Sequence, residues 1–525
     1  MKRLAILTSV IFAIVLLFAV YDRLHIIFVF AAGLVLIGIG IYDFYQTRHT
    51  IRRNFPLIGH ARYILEFIRP EIQQYFIANN QSETPFDRET RSLVYQRAKN
   101  VRDTLPFGTQ RRIRRPGYDS IRHSLSPTVL PKEESRVWFG GDDCKKPYLA
   151  SRLNVSAMSF GALSKNAVLA LNKGAHAGGF AHNTGEGGLS PYHLEGGGDL
   201  VWQLGTANFG CRTKDGRFDP ELFRDKANHD NVKMIEIKLS QGAKPSHGGL
   251  LPAAKITPEI AEIRHIEMGK DCLSPPTNPE FSTPIELLEF VARLRELSGG
   301  KPVGFKLCIG IRSEFLGICK AMQKTSILPD FITVDGAEGG TGAAPIEFTD
   351  YLGEPLNDGL TFVRNALVGL NLKDKIRIVA SGKVASGFDM VSKMALGADA
   401  CNAARAMLFA IGCIQSLQCN ANTCPTGVTT QNPRLMRGLV VDDKYIRVAN
   451  FHHAMIESWL ELLGAMGVKD ISCLNPDYIS HRISFGKSVP YSDFYQYLEP
   501  GVLLQEDSIP ELFAPHWKAA KAERF

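Results

Sequence analysis

Leu153-Asn-Val-Ser-Ala157 is a short, largely apolar run that passes directly into Met158-Ser159-Phe160-Gly161-Ala162-Leu163-Ser164. A brief apolar run, a loop of small and polar residues, and then text of helical length make the βα unit of a parallel sheet, whose strands are buried on both faces. The unit recurs. Further strand candidates lie at Phe180–Asn183, Val201–Leu204, Met234–Leu239, Val303–Cys308, Phe331–Val334, Ile376–Ala380 and Ala400–Ala404. Eight such units predict an α/β fold closed as a (β/α)8 TIM barrel. A doubly wound sheet is the competing architecture, but it calls for one dominant G-x-G-x-x-G turn after the first strand, and the sequence has none.

The residues at the carboxyl end of each strand are polar or rich in glycine: Asn183-Thr-Gly-Glu186-Gly-Gly188, Gln203, Lys238-Leu-Ser-Gln-Gly-Ala-Lys244-Pro245, Lys306, Asp335-Gly-Ala-Glu338-Gly-Gly-Thr-Gly342, Ser381-Gly382-Lys383 and Ala404-Arg405. Barrel enzymes build their sites from these carboxyl-end loops. Glycine lets a backbone approach a flat ring or a phosphate and donate its N–H groups.

Just past the eighth strand comes Gly412-Cys413-Ile-Gln-Ser-Leu-Gln-Cys419-Asn-Ala-Asn-Thr-Cys424-Pro425. Three thiols so close in sequence can converge on one soft centre, an iron–sulfur cluster or zinc; three unligated core cysteines are the plain alternative. Cys211, Cys308 and Cys473 read as packing residues. Ten cysteines in 525 residues are too few for a disulfide scaffold and suit a reducing compartment.

The formal net charge of +7 is small for this length, and the basic residues are not interleaved with aromatics, which argues against a nucleic-acid partner. Residues 4–20 and 26–42 are uninterrupted apolar runs of nearly spanning length, separated by a turn whose Arg23 is offset by Asp22. Cleavage of a signal peptide would explain the first run but not the second. Neither has the polar face of a core helix. Lys2 and Arg3 on one side, and Arg48, Arg52 and Arg53 on the other, predict a transmembrane hairpin with both ends and the catalytic body in the cytoplasm. The expected organisation is a hairpin over 1–45, a linker and helical segment over 46–149, the barrel over 150–435 and a helical extension over 436–525. Within the linker, Ile64, Ile68, Ile72 and Phe76 carry helical spacing, with a bend expected at Pro70.

The motifs Met158-Ser-Phe-Gly-Ala-Leu-Ser164, Asn183-Thr-Gly-Glu-Gly-Gly188, Ile235-Glu-Ile-Lys-Leu-Ser-Gln-Gly-Ala-Lys-Pro245, Gly339-Gly-Thr-Gly-Ala343 and the cysteine triplet together resemble the FMN-binding synthase domain of glutamate synthase. The resemblance spans about residues 150–435 and does not extend to the apolar N-terminus.

The resemblance implies FMN in the barrel and a [3Fe-4S] cluster on Cys413, Cys419 and Cys424. It implies that Met158 and Ser159 lie against the flavin ring, with Gln203 at its polar edge and Lys306 supplying positive charge beside it. Ser381, Gly382, Ala404 and Arg405 would hold the phosphate. Lys244 and Arg264 would clamp a keto acid such as 2-oxoglutarate, and Glu186 would position ammonia or relay protons to an imine. Two departures stand out: Leu250 occupies the place of a substrate-binding glutamine, and Asp335-Gly-Ala-Glu338 replaces the usual Ser-Gly-x-Asp lead. The expected activity is reductive amination without a glutaminase domain, with ammonia from solution or another protein and electrons from a separate donor protein or a quinone. A quinone-linked amino-acid dehydrogenase and a non-catalytic electron-transfer or scaffold subunit are the alternatives.

Overall fold

The computed structural model describes residues 8–12, 14, 15, 23–101 and 103–525. Contacts divide the chain into two units, Met1–Glu89 and Thr90–Phe525.

In the first unit, helix α1 (Arg23–Tyr45) contains one stretch, Ile27–Tyr45, long and apolar enough to cross a bilayer. At 1.5 Å per residue it spans about 28 Å, close to the thickness of a hydrocarbon core. Most of the other apolar run, residues 4–20, lies outside the described residues, so the two-helix hairpin reduces to this one candidate among those described. Two shorter helices come next, α2 (Thr50–Asn54) and α3 (Gly59–Ile72). Pro70 does not end α3. Lacking an N–H, it sits inside the helix, and the chain widens three residues later into a π turn over Gln73–Ile77.

The second unit is built on eight parallel strands: β1 (Leu153–Val155), β2 (His182–Asn183), β3 (Leu200–Leu204), β4 (Val232–Lys238), β5 (Val303–Leu307), β6 (Phe331–Asp335), β7 (Arg377–Ser381) and β8 (Ala400–Ala403). They pair in chain order and close through β8 and β1, with Cys401 opposite Leu153 and Ala403 opposite Val155. All eight strand expectations are met to within two residues at each end.

Strand β4 shows how the barrel fills. Its residues alternate, so Ile235 and Ile237 pack outward while Met234, Glu236 and Lys238 take three successive inward levels. At the lowest level, Met234 joins Ala181, Val201, Phe331, Val379 and Ala400 around Val137, Phe139 and Ala150. Those last three belong to an antiparallel hairpin, Arg136–Phe139 with Tyr148–Ser151, that plugs the barrel floor. Phe139 meets Phe331 edge to face at 5.7 Å.

The C-terminal residues are integral to this unit. Helix Val441–Ala465 packs on helix Lys165–Gly178, close enough that a Cβ on Gly174 would meet Val448 at 2.6 Å. Its buried His452 stacks on Phe180 at 3.9 Å between ring centroids, and Nε2 lies 3.0 Å from the Leu153 carbonyl. Strand Ile479–Ser484 pairs with both Lys487–Pro490 and Asp119–Ile121, so sequence segments expected as separate linker and extension share one sheet.

Candidate active site

At the middle level of the barrel, Glu236 is buried and accepts from three other strands. Its Oε1 takes the side-chain amides of Asn183 (2.8 Å) and Gln203 (2.6 Å), and its Oε2 takes the Thr333 hydroxyl (2.6 Å). Gln203 is thus held inside the barrel by Glu236.

Above it, in the top layer, lie the charges. Lys238 and Lys306 are register partners on β4 and β5. Lys238 Nζ lies 2.8 Å from Glu186 Oε1, and Lys306 Nζ lies 3.3 Å from Asp335 Oδ2, which also accepts the Gly242 N–H at 2.9 Å. Burial opposes ionisation of Glu186, but Lys238, with Lys244 and Arg264 behind it, holds the carboxyl below its usual value. Burial, reinforced by Lys238, pulls Lys244 down to about 8 against the pull of Glu186. Its ammonium donates to the Ala343 carbonyl at 3.1 Å.

Arg264, the last residue of helix Pro258–Arg264, is buried and donates to the Phe160 carbonyl at 2.8 Å. Its guanidinium lies over the Phe209 ring at 5.1 Å, while its Nε is buried with no hydrogen-bond partner among the described residues. Glu186, Lys244 and Arg264, chosen from three separate stretches of sequence, therefore come together, joined by Lys238.

Glycine makes the convergence possible. Gly185 has φ +64°, and a Cβ there would sit 2.6 Å from the Ser159 nitrogen, so the Met158–Ser159 loop can lie directly on the loop that carries Glu186. Gly249 is equally confined: a Cβ would be 2.7 Å from Glu186 Oε1. Leu250, its neighbour, begins a short strand paired with Cys272–Leu273, so the apolar replacement stands one residue from the carboxylate.

On the β6–β8 side, Arg405 is largely withdrawn from water, which lowers its pKa while Asp335 and Glu338 oppose the fall. It donates to the Glu338 carbonyl at 2.7 Å, and a Cβ on Gly340 would meet its Nε at 2.8 Å. Ser381 ends β7, its hydroxyl 3.3 Å from that of Ser156, and is followed by Gly382. Ala404 precedes the helix that Arg405 opens.

The cysteine loop comes after that helix. Burial raises Cys413 to about 12, with Cys419 and Cys424 adding to the rise; the Gln415 N–H, 3.4 Å from Sγ, works against it. Cys424 is shifted the other way, because hydrogen bonds from Thr426 and Thr429 outweigh burial. Buried Lys255 is lowered to about 8 by desolvation and raised by Cys419 and Cys424, and it donates to the Ala162 carbonyl. Asn422 pins the loop, donating to Ala254 and accepting from Thr430 and Gln431. Among the described residues, no three His, Cys, Asp or Glu side chains stand close enough to hold a single metal ion. Of the remaining cysteines, Cys211 and Cys308 are buried as expected, but Cys473 is exposed and donates to Asp470.

Sequence reasoning set Lys238 and Asp335 at the carboxyl ends of their strands without giving either a role, and passed over Glu236. For Glu236 and Lys238 the signal was present: two charged residues two apart at the end of a parallel strand, alternating with Ile235 and Ile237, point to the inside of a barrel.

The profile described as the conserved region in glutamate synthase matches residues 112–469. The chain belongs to the glutamate synthase family. It is accordingly an oxidoreductase acting on CH–NH2 donors. Among the family's proteins, the glutamate synthase large subunit-like protein YerD of Bacillus subtilis (strain 168) is 38% identical over 506 residues, covering 88% of this chain and 96% of its own. The archaeal glutamate synthase [NADPH] of Methanocaldococcus jannaschii is 33% identical over 378 residues, covering 68% and 71%. The archaeal-type glutamate synthase [NADPH] of Thermotoga neapolitana is 31% identical over 371 residues, covering 68% and 70%. Among solved structures, a mutant flavocytochrome b2 with pyruvate bound aligns with a TM-score of 0.42 at 15% identity, over 85% of this chain and 91% of that one.

Proposed function

We propose that this glutamate synthase family member reductively aminates 2-oxoglutarate, or a related keto acid, with free ammonia, using FMN and a [3Fe-4S] cluster and working at a membrane. The observation that carries the reading is the grouping of Lys238, Lys244 and Arg264 around the single carboxylate Glu186. One cation neutralises Glu186. Two are left for a substrate with two carboxylates, and the unpartnered Nε of Arg264 is a donor ready for one of them.

The residues suit the flavin. Gly340 leaves room beside Arg405 where a side chain would intrude, and Arg405 with Ser381 supplies donors for a phosphate. Lys306, shared with Asp335, would bring its ammonium to the flavin and stabilise the anionic reduced form. Bound reduced FMN would supply hydride to the imine carbon. The chain's own part is to bind the keto acid through Lys244 and Arg264 and exclude water. Glu186, kept ionised by Lys238, would take a proton from ammonium as the nitrogen adds to the carbonyl carbon; the carbonyl oxygen leaves as water, and the proton returns to the nitrogen when the imine carbon is reduced.

The thiols suit a cluster better than zinc. Cys413, Cys419 and Cys424 act on one another electrostatically, and three thiolates match the ligand need of a three-iron cluster without a fourth ligand from outside. Hydrogen bonds to Cys424 and the cation of Lys255 stabilise thiolate charge. Met158 and Ser159 would face the ring and Ala404 the phosphate. The electron donor is a separate protein or a quinone, with α1 as the membrane anchor.

Detergent-purified, anaerobically prepared protein is expected to show a flavin spectrum and the paramagnetic signal of an oxidised three-iron cluster; a preparation with neither refutes the cofactor reading. Adding 2-oxoglutarate and ammonium to the chemically reduced enzyme should reoxidise the flavin and form glutamate. Flavin reduction by amino acids alone would instead establish the dehydrogenase, a reading favoured by the apolar α1 helix, since a quinone acceptor would dissolve in the bilayer such a helix crosses.

A further inference from the structure

We propose that α3, with the π turn that extends it, lies flat on the bilayer as a second membrane contact, its apolar face among the acyl chains and its arginines among anionic headgroups. The proposal rests on the reading of α1 as a membrane span and adds to it the way the chain leaves the bilayer.

The helix is amphipathic. Arg62, Glu66, Arg69 and Gln73 recur at intervals of three and four and form one polar stripe. Tyr63, Ile64, Phe67, Ile68, Ile72, Tyr75 and Phe76 make up most of the rest, with Glu71 the one charge among them. In a helix of the protein core that apolar arc would be covered, yet Phe67 is 82% exposed, Phe76 84% and Ile64 60%. Apolar side chains in such a contiguous arc mark a surface that meets something apolar. Charge chooses the partner: Arg48, Arg53, Arg62 and Arg69 lie on or just before this helix against only Glu66 and Glu71. A basic polar stripe beside an aromatic and aliphatic face is the composition of an interfacial helix.

Continuity chooses the same partner. Buried Asp43, at the end of the spanning stretch, joins α1 to α2 and α3. Its Oδ1 accepts from Arg52 Nε at 3.0 Å, and its Oδ2 accepts from the Leu57 N–H at 3.1 Å and lies 2.7 Å from His60 Nε2. Gly59 permits the tight corner, since a Cβ there would be 2.9 Å from the Arg52 backbone. The corner is thus held by one carboxylate within a few residues of the point where the span ends, and α3 starts at headgroup level.

The full chain, reconstituted in vesicles of equal parts phosphatidylcholine and phosphatidylglycerol, tests this by photocrosslinking. Benzoylphenylalanine is placed singly at Phe67, at Gln73 on the polar stripe and at Leu36 in the span, and adducts are identified by mass spectrometry. The expected result is phospholipid adducts from Phe67 near the headgroup end of the acyl chain, about 5–10 Å deep, deep-chain adducts from Leu36, and at least tenfold fewer from Gln73. Lipid adducts at Leu36 with none at Phe67 would overturn the proposal and leave the span intact. Lipid adducts at Phe67 with none at Leu36 would support the surface contact and overturn the span. Adducts of Phe67 to polypeptide, whether a second copy or another protein, would overturn the proposal in favour of a protein partner.

Discussion

Lys238 Nζ and Glu186 Oε1 stand 2.8 Å apart at the mouth of the barrel, both largely withdrawn from water. The pair joins the end of β4 to the loop after β2 and sets which carboxylate and which cations remain for substrate. A buried pair of this kind resists loss of one partner more than loss of both, because a lone buried charge has nothing to offset its desolvation.

Lys238→Met is therefore expected to destabilise the protein by about 3–5 kcal/mol, and the double variant Lys238→Met/Glu186→Gln by less than the sum of the single changes. Urea denaturation of the four proteins gives the coupling. Because Glu186 is held below its usual 4.5, the pair contributes fully above that value and its contribution is lost as pH falls through the lowered one. The Lys238→Met penalty should shrink in acid; a penalty independent of pH would show that the pair is not ionic.

With Lys244 drawn down to about 8, its cationic form fades as pH rises through that value in the folded enzyme. The KM for the keto acid is expected to rise about tenfold per unit above pH 8, as for loss of one proton. Lys244→Arg, which stays charged, should flatten this limb. Initial-rate profiles from pH 7 upward decide it.

Glu236→Leu strips the acceptor from Asn183, Gln203 and Thr333 together. Each buried donor left alone costs about 1–3 kcal/mol, so the denaturation midpoint should fall far more than for Glu236→Gln, which retains an acceptor. Equal losses in the two variants would deny Glu236 its role as the hub of the inner layer.

Gly185→Ala combines a left-handed backbone with a Cβ 2.6 Å from the Ser159 nitrogen. The two loops must part. Flavin content per chain should fall several-fold while far-ultraviolet circular dichroism stays close to that of the parent. Unchanged flavin content would mean that the contact between these loops does not shape the flavin site.

Much of the barrel is legible because its signal is local. Parallel strands buried on both faces must be apolar, and the loops after them must be polar or small, so strands such as Val303–Leu307 and Phe331–Asp335 announce themselves. Glu186, Lys244 and Arg264 were found through motif resemblance, and the fold brings them together. Lys238 was given no role because alternation on a seven-residue strand gives no hint of which partner waits across the barrel. Gln203 shows the same limit: its sequence position marks a strand end, but its amide is committed to Glu236, 33 residues away.

The N-terminus divides in the same way. Composition alone marks residues 26–42 as apolar and nearly long enough to span a bilayer, and the spacing of Ile64, Ile68, Ile72 and Phe76 marks the later segment as helical. Only the folded unit reveals that Asp43 turns back to hold Arg52, Leu57 and His60. Sequence by itself determined the elements, since apolar periodicity, glycine and proline act over a few residues. Tertiary structure decided the charge partners, because an ion pair or buried hydrogen bond depends on distance in space, and barrel closure brings residues 52 and 97 positions apart within 3 Å of each other.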